Sequence, residues 1–255
     1  MDALARFVVE GGNPNVRDVQ GVTALMVACR KGDERTAEML IRYGADVNLR
    51  DVDGDTALHR AAMRGYEAIV KLLVHAGADM AIRDRFGFDA LLIASMWGHA
   101  RVVAFLLDSG ADVHATDHTG RTPLIWAAIR NHREVVALLL QRGARVNDRG
   151  ERKCTALMEA AFRGYDEIVQ LLLAAGADLD VTDISGFTAL TLALRKGYAM
   201  TARMLIDAGA DITLADVKGK TPLIWARKRR LRDIERLLEA RLSARERDAL
   251  AHAHD

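Results

Sequence analysis

Aspartate recurs at a constant step of 33 residues: Asp18, Asp51, Asp84, Asp117, Asp183 and Asp216. Carboxylates repeated at one register are not an acid–base pair, which needs two titratable groups in unlike environments of one site. They suit a turn instead, where a short polar side chain accepts hydrogen bonds from the backbone just ahead of it. The eight histidines are mostly scattered over the register. No nucleophile stands beside a base, no glycine-rich phosphate loop occurs, and no spacing fits a metal site. His252 and His254 flank an alanine next to Asp255 and read as part of a frayed tail rather than as metal ligands. The chain is therefore read as not an enzyme, with no catalytic residue, no metal and no cofactor.

The acids belong to a larger unit. Residues 51–83 recur from Asp18, Asp84, Asp117, Gly150, Asp183 and Asp216 without insertion, and a fixed period of this length means a solenoid. Thr56 precedes an apolar pattern and can cap a helix, and the next position is proline in Pro123 and Pro222. Leu58, Ala61 and Ala62 share one side at helical spacing, and Gly65 stands where a left-handed residue ends the helix. A second helix carries Ile69, Val70, Leu72 and Leu73 and closes at Gly77; an extended, turn-rich connection follows. One helix pair cannot bury both of its faces, so each unit is stabilised mainly by its neighbours.

Thr122-Pro123-Leu124, the run from Thr56 through His59 to Ala62, and the closing Gly44-Ala45-Asp46-Val47-Asn48 resemble the ankyrin repeat. The resemblance covers residues 18–242. It implies an all-α solenoid of stacked helix-turn-helix pairs with short β-hairpin fingers, used to bind other macromolecules without catalysis; His59 is then a structural hydrogen-bonding group. The expected organisation is a leading half-repeat over 1–17 holding only a second helix, repeats at 18–50, 51–83, 84–116, 117–149, 150–182 and 183–215, a capping repeat over 216–242, and a short helical or frayed tail over 243–255. The half-repeat behind Met1 is either an abbreviated cap or the edge of a longer protein, with the second favoured. Asp89 replaces Thr as a cap, Asn131 replaces a closing glycine, the finger at Gly150-Glu151-Arg152-Lys153-Cys154 has lost its Asp, and Arg230 and Leu242 replace both glycines of the last repeat. Ser243-Ala244-Arg245-Glu246 has the pattern of a new helix start.

The net charge is +1 and aromatic residues make up 5%, so no global attraction to nucleic acid or a membrane is expected. Met1 to Glu10 has no secretory pattern and every apolar run is too short to span a bilayer. Cys29 and Cys154 lie four repeats apart, roughly 30–40 Å at the spacing of packed helices, too far for a disulfide. These readings point to a cytoplasmic monomer.

The resemblance places the partner surface on the fingers and at the ends of the first helices. Carried over, it assigns Met63, Phe86, Phe88, Met96, Trp97, Ile129 and Phe162 to one apolar surface on repeats two to five, and Arg64, Arg121, Arg130 and Arg163 to a basic flank. Apolar side chains where a fold does not need them mark binding patches; the alternative is that they pack between fingers. Cations at helix C-termini are also favoured by the helix dipole, and Arg163 can pair with Glu159 one turn earlier. The expected function is a protein-interaction scaffold for a partner protein or peptide of acidic and apolar character. One alternative is a segment of a larger effector, channel or enzyme whose activity lies elsewhere; another is nucleic-acid binding through the basic rail. Asn48 and Asn147 resemble asparagines that hydroxylases modify in this family, the competing reading being that they stabilise their turns.

Overall fold

The computed structural model describes residues 10–252; the expected helix over Asp2 to Glu10 and the His254 reading lie outside them but for Glu10. The chain divides into two compact units, one ending at Ala144 and the other beginning at Arg145. The first holds α1 (Ala24–Lys31), α2 (Glu34–Arg42), α3 (Ala57–Arg64), α4 (Glu67–His75), α5 (Ala90–Trp97), α6 (Ala100–Asp108), α7 (Pro123–Ile129) and α8 (Arg133–Gln141). The second holds a 3-10 turn (Glu151–Lys153) and then α9 (Ala156–Arg163), α10 (Asp166–Ala174), α11 (Ala189–Lys196), α12 (Ala199–Asp207), α13 (Pro222–Lys228) and α14 (Arg232–His252).

Each unit is a stack of antiparallel helix pairs. In the first, α1, α3, α5 and α7 pack in one row and α2, α4, α6 and α8 in a second. In the second, α9, α11 and α13 form one row and α10, α12 and α14 the other. Leu25, Leu58, Leu91 and Leu124, one from each first helix, are buried, as are Leu40, Leu73, Leu106 and Leu139 from the second helices. Every first helix of this unit thus presents the same leucine inward at the same register, and small residues such as Ala61, Ala94 and Ala127 let the rows approach.

The helix ends follow from single residues. The hydroxyls of Thr23, Thr56, Thr122, Thr155 and Thr188 and the carboxylate of Asp89 each accept the backbone N–H three residues on, which satisfies a donor the helix itself cannot. Thr221 makes no such bond. Gly65 (φ 71°) and Gly98 (φ 79°) are left-handed, and space as well as backbone angle requires them. A Cβ on Gly65 would lie 2.4 Å from His99 Nδ1, and one on Gly98 2.4 Å from His132 Nδ1. Asn131 (φ 63°) and Arg230 (φ 58°) take the same conformation without glycine.

Two departures from the sequence reading, and one irregularity that the loss of an aspartate led us to expect, have physical causes. Among the described residues no β-ladder forms between fingers; one isolated bridge joins Arg17 and Thr23. Each finger is only five residues long and is closed instead by its aspartate. Asp51 Oδ1 accepts from Asp53 N (2.9 Å) and Asp55 N (3.0 Å), and Asp84, Asp117, Asp183 and Asp216 repeat the pattern. The finger at Gly150, lacking that carboxylate, tightens into the 3-10 turn with Arg152 (φ 57°) and Lys153 (φ 61°) left-handed. Finally, α14 runs through Ser243 without interruption. Leu242 imposes no left-handed stop, and Arg241 and Arg245 reach back to Asp207 (3.1 Å) and Asp211 (3.3 Å).

Replacing Leu157, buried in α9, by Ala is expected to cost about 2–5 kcal/mol. Hydrogen exchange should quicken in α9, α10 and α11 together; faster exchange in α9 alone would contradict the neighbour coupling. Thr56→Ala is expected to cost about 1 kcal/mol and Thr221→Ala much less, compared by urea unfolding midpoints.

Candidate functional site

The residues that the repeat leaves free sit where first helices end and fingers turn. Within the first unit, Met63 and Arg64 end α3, Met96 and Trp97 end α5, and Ile129 ends α7 with Arg130 next to it. Trp97 is 51% exposed. With Met96, Arg130 and His132 it lines an open cavity of about 220 Å³. Sequence reasoning named Trp97, Met96 and Arg130 and missed His132, one of the histidines scattered over the register. His132 Nε2 lies 3.0 Å from the Met96 carbonyl, as His99 Nε2 does from that of Met63. Each ring therefore caps the end of the preceding first helix and holds in place the backbone that carries the exposed side chains.

The finger aromatics divide. Phe86 is 55% exposed, with the Arg85 guanidinium 4.7 Å from its ring centroid; Arg85 in turn pairs with Asp53 at 2.6 Å. Phe88 is half-buried and packs on Trp126 with centroids 5.5 Å apart. Arg121 lies over the other ring of that pair at 5.0 Å, and Trp126 Nε1–H donates to Asp117 at 2.8 Å. The Phe88 carbonyl is 3.0 Å from His59 Nε2, while His59 Nδ1 accepts from Thr56 N at 3.2 Å. Phe88, Arg121, Trp126 and His59 are thus one packed assembly joining two fingers to their helices.

In the second unit Phe162 is half-buried among its own cations: Lys196 at 4.2 Å, Arg163 and Arg195 each at 5.6 Å. Arg163 is paired with Glu159. Arg195 also covers Phe187 at 4.6 Å, and Lys220 and Lys228 cover Trp225 at 4.9 and 5.1 Å. The charges of Arg195 and Lys196 thus lie on rings of the same unit, contacts that the period of the sequence does not specify.

Asn48 Oδ1 accepts from Asp79 N at 2.8 Å and its Nδ2 donates to the Gly77 carbonyl at 3.2 Å. Asn147 Oδ1 accepts from Asp178 N at 2.8 Å. Both carboxamides bridge successive closing loops. Cys29 is buried in α1, which pushes its thiol up to about 12 and leaves it unreactive. Among the described residues no cluster of three or more His, Cys, Asp or Glu side chains forms a metal-ligand set, and no helix is long and apolar enough to cross a membrane.

The family described as ankyrin repeats in three copies matches residues 1–84, 77–150 and 157–248. The chain belongs to the ankyrin-repeat family. Ankyrin repeats form a protein-interaction fold. Among solved structures, the ankyrin-repeat domain of Bcl-3, described as a unique member of the IkappaB protein family, is similar at 32% identity and a TM-score of 0.76, over 85% of this chain and 99% of that one. The human ASB11 ankyrin-repeat domain is similar at 28% identity and a TM-score of 0.75, over 80% of this chain and 92% of that one. Comparison with curated proteins gives no significant match.

Burial, reinforced by the charges of His99 and Arg130, holds His132 below the usual histidine range against the opposing pull of the Met96 carbonyl. A group whose folded pKa is depressed in this way binds its proton more readily in the unfolded chain. Its contribution to stability is complete above the unfolded value of about 6.5 and is lost as pH falls from there toward the folded value. Melting temperatures of this ankyrin-repeat protein should therefore fall less steeply with acidification in His132→Gln than in the wild type; parallel curves would assign the loss to other groups.

Proposed function

We propose that this ankyrin-repeat chain is a non-catalytic interaction module that binds a partner protein or peptide through the surface centred on Trp97. The observation that carries the reading is the pairing of a half-exposed indole with Arg130 around an open cavity at the end of α5. Trp and Arg are the side chains most often responsible for binding energy at interfaces. An apolar partner side chain would enter beside Trp97 and Met96, and a carboxylate one residue or two away would meet Arg130. Arg64, exposed at the end of α3, extends the positive flank.

On this reading the working units are the repeats that start at Asp51, Asp84 and Asp117. Met63, Ile129 and Phe86 form the margin of the surface, while Phe88 and Arg121 support it from behind. Phe162 and Arg163 belong to the second unit and are not needed for this contact. A protein partner is favoured over nucleic acid because the rings of Phe162, Phe187 and Trp225 already have their own cations over them, which leaves little for base stacking.

Selection from a random displayed-peptide library tests the reading. Peptides enriched on the wild type should combine an aromatic or branched aliphatic residue with Asp or Glu. Trp97→Ala should weaken them by about 10–100-fold, the range expected of a central anchor. Arg130→Glu should shift selection toward Lys and Arg. Binders that hold all three folded proteins equally would place the interaction elsewhere.

A further inference from the structure

The asparagine bridges between closing loops are broken at Ala81 and again at His114, and at the first break a cavity opens. Asn15 donates to the Gly44 carbonyl (3.2 Å) and accepts from Asp46 N (2.8 Å). Asn48 repeats both bonds with Gly77 and Asp79. One repeat later the residue is Ala81, which can supply neither bond to the corresponding Gly110 carbonyl and Asp112 N–H. A second truncation accompanies the first, because Ala115 occupies the register of Ile82. Between them lies a cavity of about 290 Å³ whose lining includes Ala81, Ala115, Gly110 and Asp112.

We propose that this cavity is a binding subsite for a neutral primary carboxamide, offered as the glutamine or asparagine side chain of a bound polypeptide. The ligand would do what Asn48 does one repeat earlier: its NH2 donates to the Gly110 carbonyl and its oxygen accepts from Asp112 N–H. The space left by Ala115 in place of isoleucine takes the aliphatic stem. Charge selects against a carboxylate of the same shape. Asp79, Asp89 and Asp112 all line the cavity against the single cation Arg83, and Arg83 Nη1 already donates to the Thr116 carbonyl at 2.8 Å. Asp89 is buried and caps α5 through its bond from Leu92 N (2.8 Å), so an entering carboxylate would meet a second carboxyl group on the cavity wall. An unsubstituted amide carries a donor–acceptor pair that matches the backbone, and an analogue that offers only acceptors leaves the Gly110 carbonyl unmatched.

The assignment rests on reading the chain as a protein-binding module but not on the Trp97 surface, and the probes keep the two apart. N-acetyl-glutamine N-methylamide, titrated into the labelled protein, should give saturable amide shifts at Ala81, Asp112 and Ala115 and none at Trp97. The matched glutamate compound should bind at least about tenfold more weakly, because it lacks the donor for the Gly110 carbonyl and brings a charge toward three carboxylates. Ala81→Asn should restore the internal bridge, raise the melting temperature and remove probe binding; because Asn48 already fills the same place, the variant keeps the fold. Ala115→Ile, filling the other half, should also weaken the probe. No saturable shift on the wild type, equal binding of the glutamate compound, or undiminished binding to Ala81→Asn would each overturn the proposal.

Discussion

Each finger depends on a single carboxylate. One oxygen of the finger aspartate accepts two backbone N–H groups and so closes the turn. In three repeats the other accepts from the residue nine positions on: Arg60 pairs with Asp51, Trp126 donates to Asp117 at 2.8 Å, and Trp225 to Asp216 at 3.2 Å. The turn and the first helix are therefore joined through one side chain, and a buried carboxylate with both oxygens engaged is a rigid joint. Within each unit, successive fingers are then tied by a backbone bond, as from Val52 N to the Gln20 carbonyl and from Arg85 N to that of Asp53. Where the carboxylate is replaced by Gly150, the closing bond to Cys154 survives at 2.9 Å. The cost there is two non-glycine residues in the left-handed region, roughly 1–2 kcal/mol apiece.

A second constraint acts at the opposite end of the first helix. Its left-handed glycine leaves a gap that the ring of the next repeat fills, His99 over Gly65 and His132 over Gly98. The imidazoles then satisfy carbonyls that the helix cannot. The side chains just before these glycines, Met63 and Met96 with Arg64 and Trp97, therefore project from backbone held on both sides. That rigidity is what makes a surface of this kind suited to recognition, since little conformational freedom remains to be lost on binding.

Packing within the array accounts for side chains that composition alone would offer to a partner. Phe88 is taken up by Trp126 and Arg121, and Arg163 by Glu159. The cations over Phe162, Phe187 and Trp225 are held against rings of their own unit. Phe86 and Trp97 remain exposed in the first unit, and Trp97 is the one exception to a basic residue at its register from Lys31 to Arg229.

Much of this was legible in the sequence because the period repeats each signal. Thr56 as a cap, Gly65 as a stop, Leu58 and Leu73 as core, and the aspartates as turn residues follow from local chemistry, and seven copies make each reading redundant. The helix-pair fold and the register of the exposed positions therefore needed no tertiary information. Contacts between repeats were not legible, because they join side chains 29 to 36 positions apart and the identity of each partner is what varies between copies. Only the folded chain decided that Phe88 is packing and Trp97 is surface. Only the folded chain put an imidazole over each helix end, carried α14 through Ser243 on the strength of Arg241 and Arg245, and left a cavity where Ala81 and Ala115 stand in the places of larger neighbours. A repeat pattern specifies the backbone; the volume and charge of each neighbour's side chain determine which positions remain open.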